Sequence, residues 1–221
     1  MKPELTLNDL VCEAKTFCEA MSRENHANLT GVTDGKAVGT YVEHRFQQYL
    51  DEKYTMGKGN SAKGIDLPSV NTDIKVTSLT QPQSSCPFQN ARQKIYGLGY
   101  HLLLFVYEKT DSVDSCVLSF THCALIDEKR TADYTITKRL REMLSDGANM
   151  DDIVGFLQDK NVPGDEITLR ELAEEILRHC PEQGYLTISN ALQWRLKYTR
   201  VIELDNQVPG VVNYEWKERI R

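Results

Sequence analysis

The stretch that decides the fold is Gly64–Ser78, which reads GIDLPSVNTDIKVTS. Asp66 precedes a short polar turn in this stretch, and Asp73 follows it. Turn residues between two segments that suit strands predict a β-hairpin, here with its turn between Leu67 and Thr72. Such a hairpin brings the first aspartate back beside the second.

Side chains alternate between the two faces of a strand, so the second half of the stretch can be assigned to faces. Asp73, Lys75 and Thr77 share one face, and Ile74 and Val76 point the other way, into a core. With the aspartate returned by the turn, two carboxylates and one ammonium group are expected to converge at one end of the sheet.

Two converging carboxylates are typical of a site for a divalent cation. Mg²⁺ takes hard oxygen ligands in octahedral geometry and is commonly held by one or two carboxylates together with substrate phosphate. Such a site can polarise a phosphoryl oxygen and acidify a bound water, and a nearby lysine can stabilise charge on the phosphate. Solvated turn aspartates and a solvated strand lysine would give the same short pattern, so the surrounding sequence has to decide.

The composition is that of an ordinary soluble globular protein, because 40% of its 221 residues are hydrophobic and 26% are charged. The sequence shows no run of 18 apolar residues and no signal peptide, so we expect a cytoplasmic protein with no membrane partner. Its six cysteines fall at irregular spacings without a Cys-x-x-Cys pair, which favours free thiols in a reducing compartment.

The charges are unevenly distributed along the chain, whose net charge is −6. Met150–Glu182 carries nine acidic and three basic residues, whereas Thr187–Arg200 carries three basic residues and no acidic one. The net charge argues mildly against non-specific binding to nucleic acid, but the basic segment leaves a local contact with DNA open.

The spacing of apolar residues predicts an α/β core at residues 1–130. Amphipathic helices are predicted at Leu7–Arg23 and Asp34–Asp51, and a short helix at Phe88–Leu98. Tyr100–Tyr107 is a continuous apolar run typical of a strand buried on both faces, and Cys116–Phe120 is predicted to be another strand. This order indicates a mixed sheet flanked by helices.

Residues 131–221 are predicted to form a mostly helical region. Its helices are expected at Thr135–Leu144, Met150–Gln158, Leu169–His179 and Ile188–Tyr198, followed by a hairpin of Arg200–Leu204 and Val211–Trp216. Two arrangements fit this order: a winged helix-turn-helix that reads the major groove, or a helical cap packed on the core. In the first arrangement the residues suited to base and phosphate contacts are Asn190, Gln193, Arg195, Lys197 and Arg200.

The pattern Asp66-x6-Asp73-x-Lys75 is preceded by a predicted helix that reads Lys36-Ala-Val-Gly-Thr-Tyr-Val-Glu43. Together these two segments resemble the PD-(D/E)xK nuclease superfamily, the fold of most type II restriction endonucleases. The similarity covers residues 34–108 and is nearest to the mismatch-repair nicking endonuclease and its restriction-enzyme relatives. Asp73 stands in place of the commoner glutamate, and Pro68 follows the first aspartate instead of preceding it, but neither departure removes a ligand.

The resemblance implies a restriction-endonuclease-like core and a Mg²⁺-dependent phosphodiesterase that acts on double-stranded DNA in a bacterial cytoplasm. Asp66 and Asp73 would hold the metal ion with the Ile74 carbonyl, and Lys75 would orient or activate the attacking water. Glu43 would assist through a second metal ion or a water. Further residues placed to contact DNA are Lys36, Gln93 and Lys94.

Several functions are compatible with this reading. The first is a type II restriction endonuclease that cuts a short specific sequence, often as a homodimer whose two-fold axis matches the site. The alternatives are a repair or nicking endonuclease that acts as a monomer, a non-catalytic DNA-binding protein on a decayed nuclease fold, and an unrelated α/β protein. The intact set of two aspartates and one lysine argues against decay.

Overall fold

The computed structural model describes residues 2–55, 64–85, 90–189, 195–204 and 207–216. Two compact units interleave along the chain. The first unit is formed by Met1–Ser84, His101–Ile126 and Ile202–Arg221, and the second by Ser85–Tyr100 and Asp127–Val201. The chain therefore crosses between the units four times, whereas the sequence analysis placed a single boundary at residue 130.

Seven α-helices and seven strands lie within the described residues. The helices are α1 (Leu7–Met21), α2 (Gly35–Lys53), α3 (Ala91–Tyr96), α4 (Tyr134–Ser145), α5 (Met150–Asp159), α6 (Glu166–Arg178) and α7 (Thr199–Ile202). The strands are β1 (Thr72–Ser78), β2 (Gln83–Ser85), β3 (His101–Asp111), β4 (Cys116–Ile126), β5 (Thr187–Ser189), β6 (Arg195–Lys197) and β7 (Val211–Glu215). None of the helices in the described part of the chain is long and apolar enough to span a membrane.

The first unit is built on a four-stranded sheet in the order β1-β3-β4-β7. β1 runs parallel to β3, and the other two neighbouring pairs are antiparallel. The run Leu102–Tyr107 of β3 is buried along its whole length, as the continuous apolar sequence predicts for a central strand. The prediction of a mixed sheet in an α/β core is confirmed.

Helices α1 and α2 pack on this sheet through an aromatic cluster. The ring centroids of Phe17 and Phe46 lie 4.9 Å apart, and those of Phe46 and Phe105 lie 5.1 Å apart. At Gly39 an added Cβ would lie 3.8 Å from the Cβ of Val76, which is ordinary van der Waals contact. The glycine face of α2 therefore lies over β1, the strand that carries the second aspartate.

A buried histidine joins the end of α1 to α2 and β4. The His26 backbone N–H donates to the Cys116 carbonyl at 2.7 Å. Its Nε2 lies 2.9 Å from the Met21 carbonyl and its Nδ1 lies 3.1 Å from the Tyr41 hydroxyl, which also accepts from Arg45. Because a carbonyl only accepts, the neutral tautomer with the proton on Nε2 satisfies every partner.

The second unit has its own core, made where α3, α4, α5 and α6 meet. Each helix contributes a fully buried apolar residue, namely Ile95, Leu140, Leu157 and Ile176. The helices α3, α4, α5 and α6 each begin within three residues of the predicted start, which agrees with their strong apolar periodicity.

The prediction of a helix at Ile188–Tyr198 is wrong. Ile188 lies in β5 and pairs with Leu196 of β6, and both side chains are buried. The segments Thr-Ile-Ser and Arg-Leu-Lys each bury one residue between two polar ones, which is the period of a strand and not of a helix. A winged helix-turn-helix with a recognition helix is thereby excluded for this segment.

The carboxy-terminal hairpin prediction is wrong as well. Thr199–Ile202 is helical, so Arg200–Leu204 does not supply the first strand. Val211–Glu215 is a strand, but it pairs with β4 and so extends the sheet of the first unit. Its partner comes from about 90 residues earlier in the chain, a distance that local sequence patterns do not report.

Replacing Gly184 with Ala should destabilise the protein, because a Cβ there would lie 2.2 Å from the Ala132 carbonyl oxygen. Overpacking of this kind costs about 1–3 kcal/mol. The free energy of unfolding in urea measures the effect. Gly155→Ala in α5 is the matched control: its Cβ would meet no atom within 4 Å, and it should stabilise the protein by about 0.5–1 kcal/mol. Equal stability of both variants would contradict the close approach at residue 184.

The protein should become less stable as the pH decreases, because burial lowers the pKa of His26. The Met21 carbonyl and Glu24 oppose this shift and Arg45 adds to it slightly, so that the pKa stays below its ordinary value. The unfolded chain then takes up its proton at a higher pH than the folded one, so protonation favours unfolding below the ordinary histidine pKa. Urea unfolding at pH 7.5 and pH 5.5 tests this. His26→Gln should reduce the pH dependence, whereas His179→Gln, at an exposed position, should leave it unchanged.

Candidate active site

A six-residue loop returns the chain from the first aspartate to β1. Leu67 and Thr72 form one antiparallel bridge, with N–H···O distances of 2.9 and 3.1 Å. Pro68–Val70 is a 3₁₀ turn, and Asn71 closes it with φ +48°, in the left-handed region that asparagine tolerates. The turn lies where the sequence predicted it, but its amino-terminal arm is a single bridged residue and not a strand.

The loop places the Asp66 carboxylate against the backbone of β1. Its Oδ2 accepts the Ile74 N–H at 2.7 Å. The same carboxyl group lies close enough to the carboxyl group of Asp73 to raise its pKa. The two aspartates are therefore neighbours, as the sequence predicted.

Asp73 is buried and lies between a second carboxyl group and an ammonium group. Its side chain is 7% exposed, and its Oδ2 lies 2.5 Å from Nζ of Lys75. Burial raises the pKa of Asp73 to about 6; Lys75 lowers the pKa and the Asp66 carboxyl raises it further. The single lysine therefore does not offset the cost of placing negative charge here.

Such a pair of carboxyl groups fits a divalent cation. Ionising both of them requires positive charge beyond that of Lys75, and carboxylate oxygens are the ligands that Mg²⁺ prefers. No group of three or more His, Cys, Asp or Glu side chains converges among the residues that the structure describes. The donor set among the described residues is thus two carboxylates, which substrate phosphate and water can complete.

Glu43 does not join this pair as a third clustered carboxylate. It lies half-buried on α2, one helical turn after Gly39, on the helix that packs over β1. The placement of its helix agrees with the resemblance, but its assistance to a second metal ion or a water stays a prediction.

The residues predicted to contact DNA are distributed over both units. Lys36 is exposed in the first turn of α2, and Gln93 is half-buried on α3. Lys94 is 1% exposed, and this burial argues against direct contact with DNA. The other predicted positions are Arg195 and Lys197 on β6, Arg200 on α7, and Asn190 and Gln193, which lie outside the described residues.

Sequence reasoning missed one buried polar residue, Asp133. Its carboxylate accepts the N–H of Ile136 at the start of α4 and the N–H of Ile188 in β5, both at 2.9 Å. An aspartate directly before a predicted helix indicates an N-cap, which was the available signal. The second contact joins residues 55 positions apart and has no local signal.

Two comparisons with known proteins found matches that extend over nearly the whole chain. The family model described as "Type II restriction enzyme NspV" matches residues 4–213. A relative of that name from Nostoc sp. (strain ATCC 29411 / PCC 7524) is 51% identical over 210 residues, which cover 94% of this chain and 96% of the relative. No solved structure matches the chain. Because both similarities extend over nearly the whole sequence, the chain belongs to the NspV family of type II restriction enzymes.

Proposed function

We propose that this chain is a Mg²⁺-dependent endonuclease that hydrolyses phosphodiester bonds of double-stranded DNA at a short specific sequence. Its family supports the restriction activity, and type II restriction enzymes generally require a divalent metal ion. The observation that carries the assignment of the site is the buried contact between Asp66 and Asp73 beside Lys75.

The two aspartates have different parts in this proposal. Asp66 is oriented by the Ile74 N–H, so one of its oxygens is held while the carboxylate faces Asp73. Asp66 and Asp73 would hold Mg²⁺ together with the Ile74 carbonyl. A bound ion would supply Lewis acidity at the scissile phosphate and would lower the pKa of a bound water. A pair of carboxylates held before the ion arrives needs little rearrangement to bind it.

Lys75 completes the site from the same face of β1. Its ammonium group lies against Asp73 in this structure, within reach of the volume where substrate phosphate would bind. There it orients the attacking water and stabilises the charge that develops on the phosphate in the transition state. Glu43 orients a water or a second ion from α2.

DNA binding is proposed to use basic and polar residues outside the metal site, namely Lys36, Gln93, Arg195, Lys197 and Arg200.

We expect a homodimer, because a two-fold symmetric enzyme matches a palindromic sequence. Sedimentation with and without duplex DNA measures this directly, and a monomer that nicks one strand would contradict it.

Asp73→Asn should abolish most of the cleavage, because it removes a charged ligand while conserving shape. The expected loss is about 10²–10³-fold in the single-turnover rate, which corresponds to several kcal/mol of transition-state stabilisation. The assay is Mg²⁺-dependent conversion of phage DNA to discrete fragments. Asp114→Asn makes the same charge change in an exposed turn and should cut like the unaltered protein. A smear instead of fragments would contradict sequence specificity.

Metal binding should depend on the aspartates without requiring cleavage. Titration calorimetry with Mg²⁺ or Mn²⁺ alone should show binding to the unaltered protein and to Lys75→Met, and much weaker binding to Asp66→Asn and Asp73→Asn. Lys75→Met should nevertheless lose about 10²-fold or more in cleavage, because it removes charge stabilisation in the transition state. Cleavage in excess EDTA, or unaltered metal affinity of both asparagine variants, would show that the site is wrongly assigned.

A further inference from the structure

The strands β5 and β6 pair antiparallel in the second unit and belong to a three-stranded sheet. We call this pair of strands the ribbon. Ile188 and Leu196 face each other across it and are 5% and 0% exposed. Because side chains alternate, the opposite face carries the other four residues of the two strands. This outer face of the ribbon consists of Thr187 opposite Lys197 and Ser189 opposite Arg195.

The outer face has the chemistry of a surface that binds polyanions. It presents two hydroxyls, one guanidinium and one ammonium group, and no carboxylate occurs anywhere in Thr187–Arg200. Lys197 is exposed and the other three residues are partly exposed. Serine, threonine, arginine and lysine side chains are the usual donors to DNA phosphate oxygens. The net acidity of the whole chain makes this local excess of positive charge more significant.

The ribbon is held in place by buried hydrogen bonds before any ligand arrives. Asp133 accepts the Ile188 N–H at 2.9 Å and is itself 4% exposed. The residue before the ribbon, Leu186, donates its N–H to the Ala132 carbonyl at 3.1 Å and accepts the Tyr134 N–H at 2.8 Å. Because the backbone is ordered in advance, binding through this face loses less conformational entropy than binding through a flexible segment.

Arg200, the third residue after the ribbon, extends the basic character to α7. The guanidinium of Arg200 lies 4.0 Å from the ring centroid of Tyr134, which orients this cation by stacking. Tyr134 follows Asp133 directly, so the same turn of chain anchors the ribbon and supports the arginine.

We propose that the outer face of the ribbon contacts the DNA duplex, with Lys197 and Arg195 on phosphates and the two hydroxyls as neighbouring donors. The inference rests on the proposed function and deepens it, because it assigns DNA contact to a β-ribbon where the sequence analysis expected a recognition helix. Strands of a small sheet are one of the elements with which proteins contact a groove of B-form DNA. Asp133 is a positioning residue in this arrangement and not a contact.

The test measures duplex binding separately from cleavage. The probes are a fluorescent duplex that contains the site cut by the unaltered enzyme and a duplex without it, both titrated in EDTA over a salt series. Lys197→Gln should lower the slope of log affinity against log salt by about 0.9, and adding Arg195→Gln should lower it by about as much again. The double variant should bind about tenfold more weakly or worse on both duplexes, because phosphate contacts carry no sequence information.

The matched control is Lys138→Gln with Arg139→Gln, which removes the same charge from exposed positions of α4 in the same unit. It should change affinity and salt slope much less than the ribbon variants.

Two failures can be told apart. In the first, the unaltered protein binds and cuts DNA, and the ribbon variants bind DNA as tightly as the unaltered protein or the α4 control. The ribbon is then not the contact surface, and the proposed function stands. If the unaltered protein neither binds nor cuts duplex DNA, the proposed function and the ribbon assignment are both wrong. If the ribbon variants lose affinity only for the duplex that contains the cleavage site, the ribbon contacts bases and not phosphates, and the proposal of phosphate contact is wrong.

Discussion

The site depends on one constraint, the return of the chain from Asp66 to Asp73 within six intervening residues. The bridge between Leu67 and Thr72 closes this loop, and the Ile74 N–H then holds Asp66 at 2.7 Å. A further bond from the His101 N–H to the Asn71 carbonyl at 2.9 Å ties the loop to the start of β3. Two carboxylates are thus placed side by side by backbone hydrogen bonds, which hold their positions whether or not the carboxyl groups are ionised.

Burial then gives these carboxylates their chemical character. A solvated aspartate ionises freely and binds a cation weakly because water competes for the cation. Asp73 is buried next to a second carboxyl group, so its charge is unfavourable until a cation offsets it, and its pKa rises to about 6. The same desolvation that destabilises the charged site without a metal ion strengthens its attraction for a cation. Lys75 supplies part of the offset, because its ammonium group lies against the Asp73 carboxylate.

A comparable constraint organises the second unit. The Asp133 carboxylate binds the first turn of α4 with one oxygen and the N–H of Ile188 with the other. A helix start and a short ribbon, far apart in sequence, are thereby fixed to each other. The first unit uses the same device at His26, which links α1, α2 and β4 through one ring and one backbone N–H. In both units a buried polar group with every partner satisfied holds elements that apolar packing alone would leave free to slide.

The sequence by itself determined the fold class and located the turn that brings Asp66 back towards Asp73. Local signals sufficed, because the turn at Pro68, the alternation after Asp73 and the continuous apolar run of β3 each report the conformation of their own segment. Periodicity likewise located the helices α1 to α6. The proximity of Asp66 and Asp73 was predictable for the same reason, since only six residues separate them.

Only the tertiary structure decided the long-range partners. Val211–Glu215 reads as a strand, but nothing local shows that it pairs with β4, and the ribbon could be mistaken for a helix because each of its strands has three residues. Three residues cover less than one helical turn and cannot separate a period of 2 from one of 3.6. The burial of charged residues was also decided only by packing. Lys94 is withdrawn from the surface, and burial raises the pKa of Asp73.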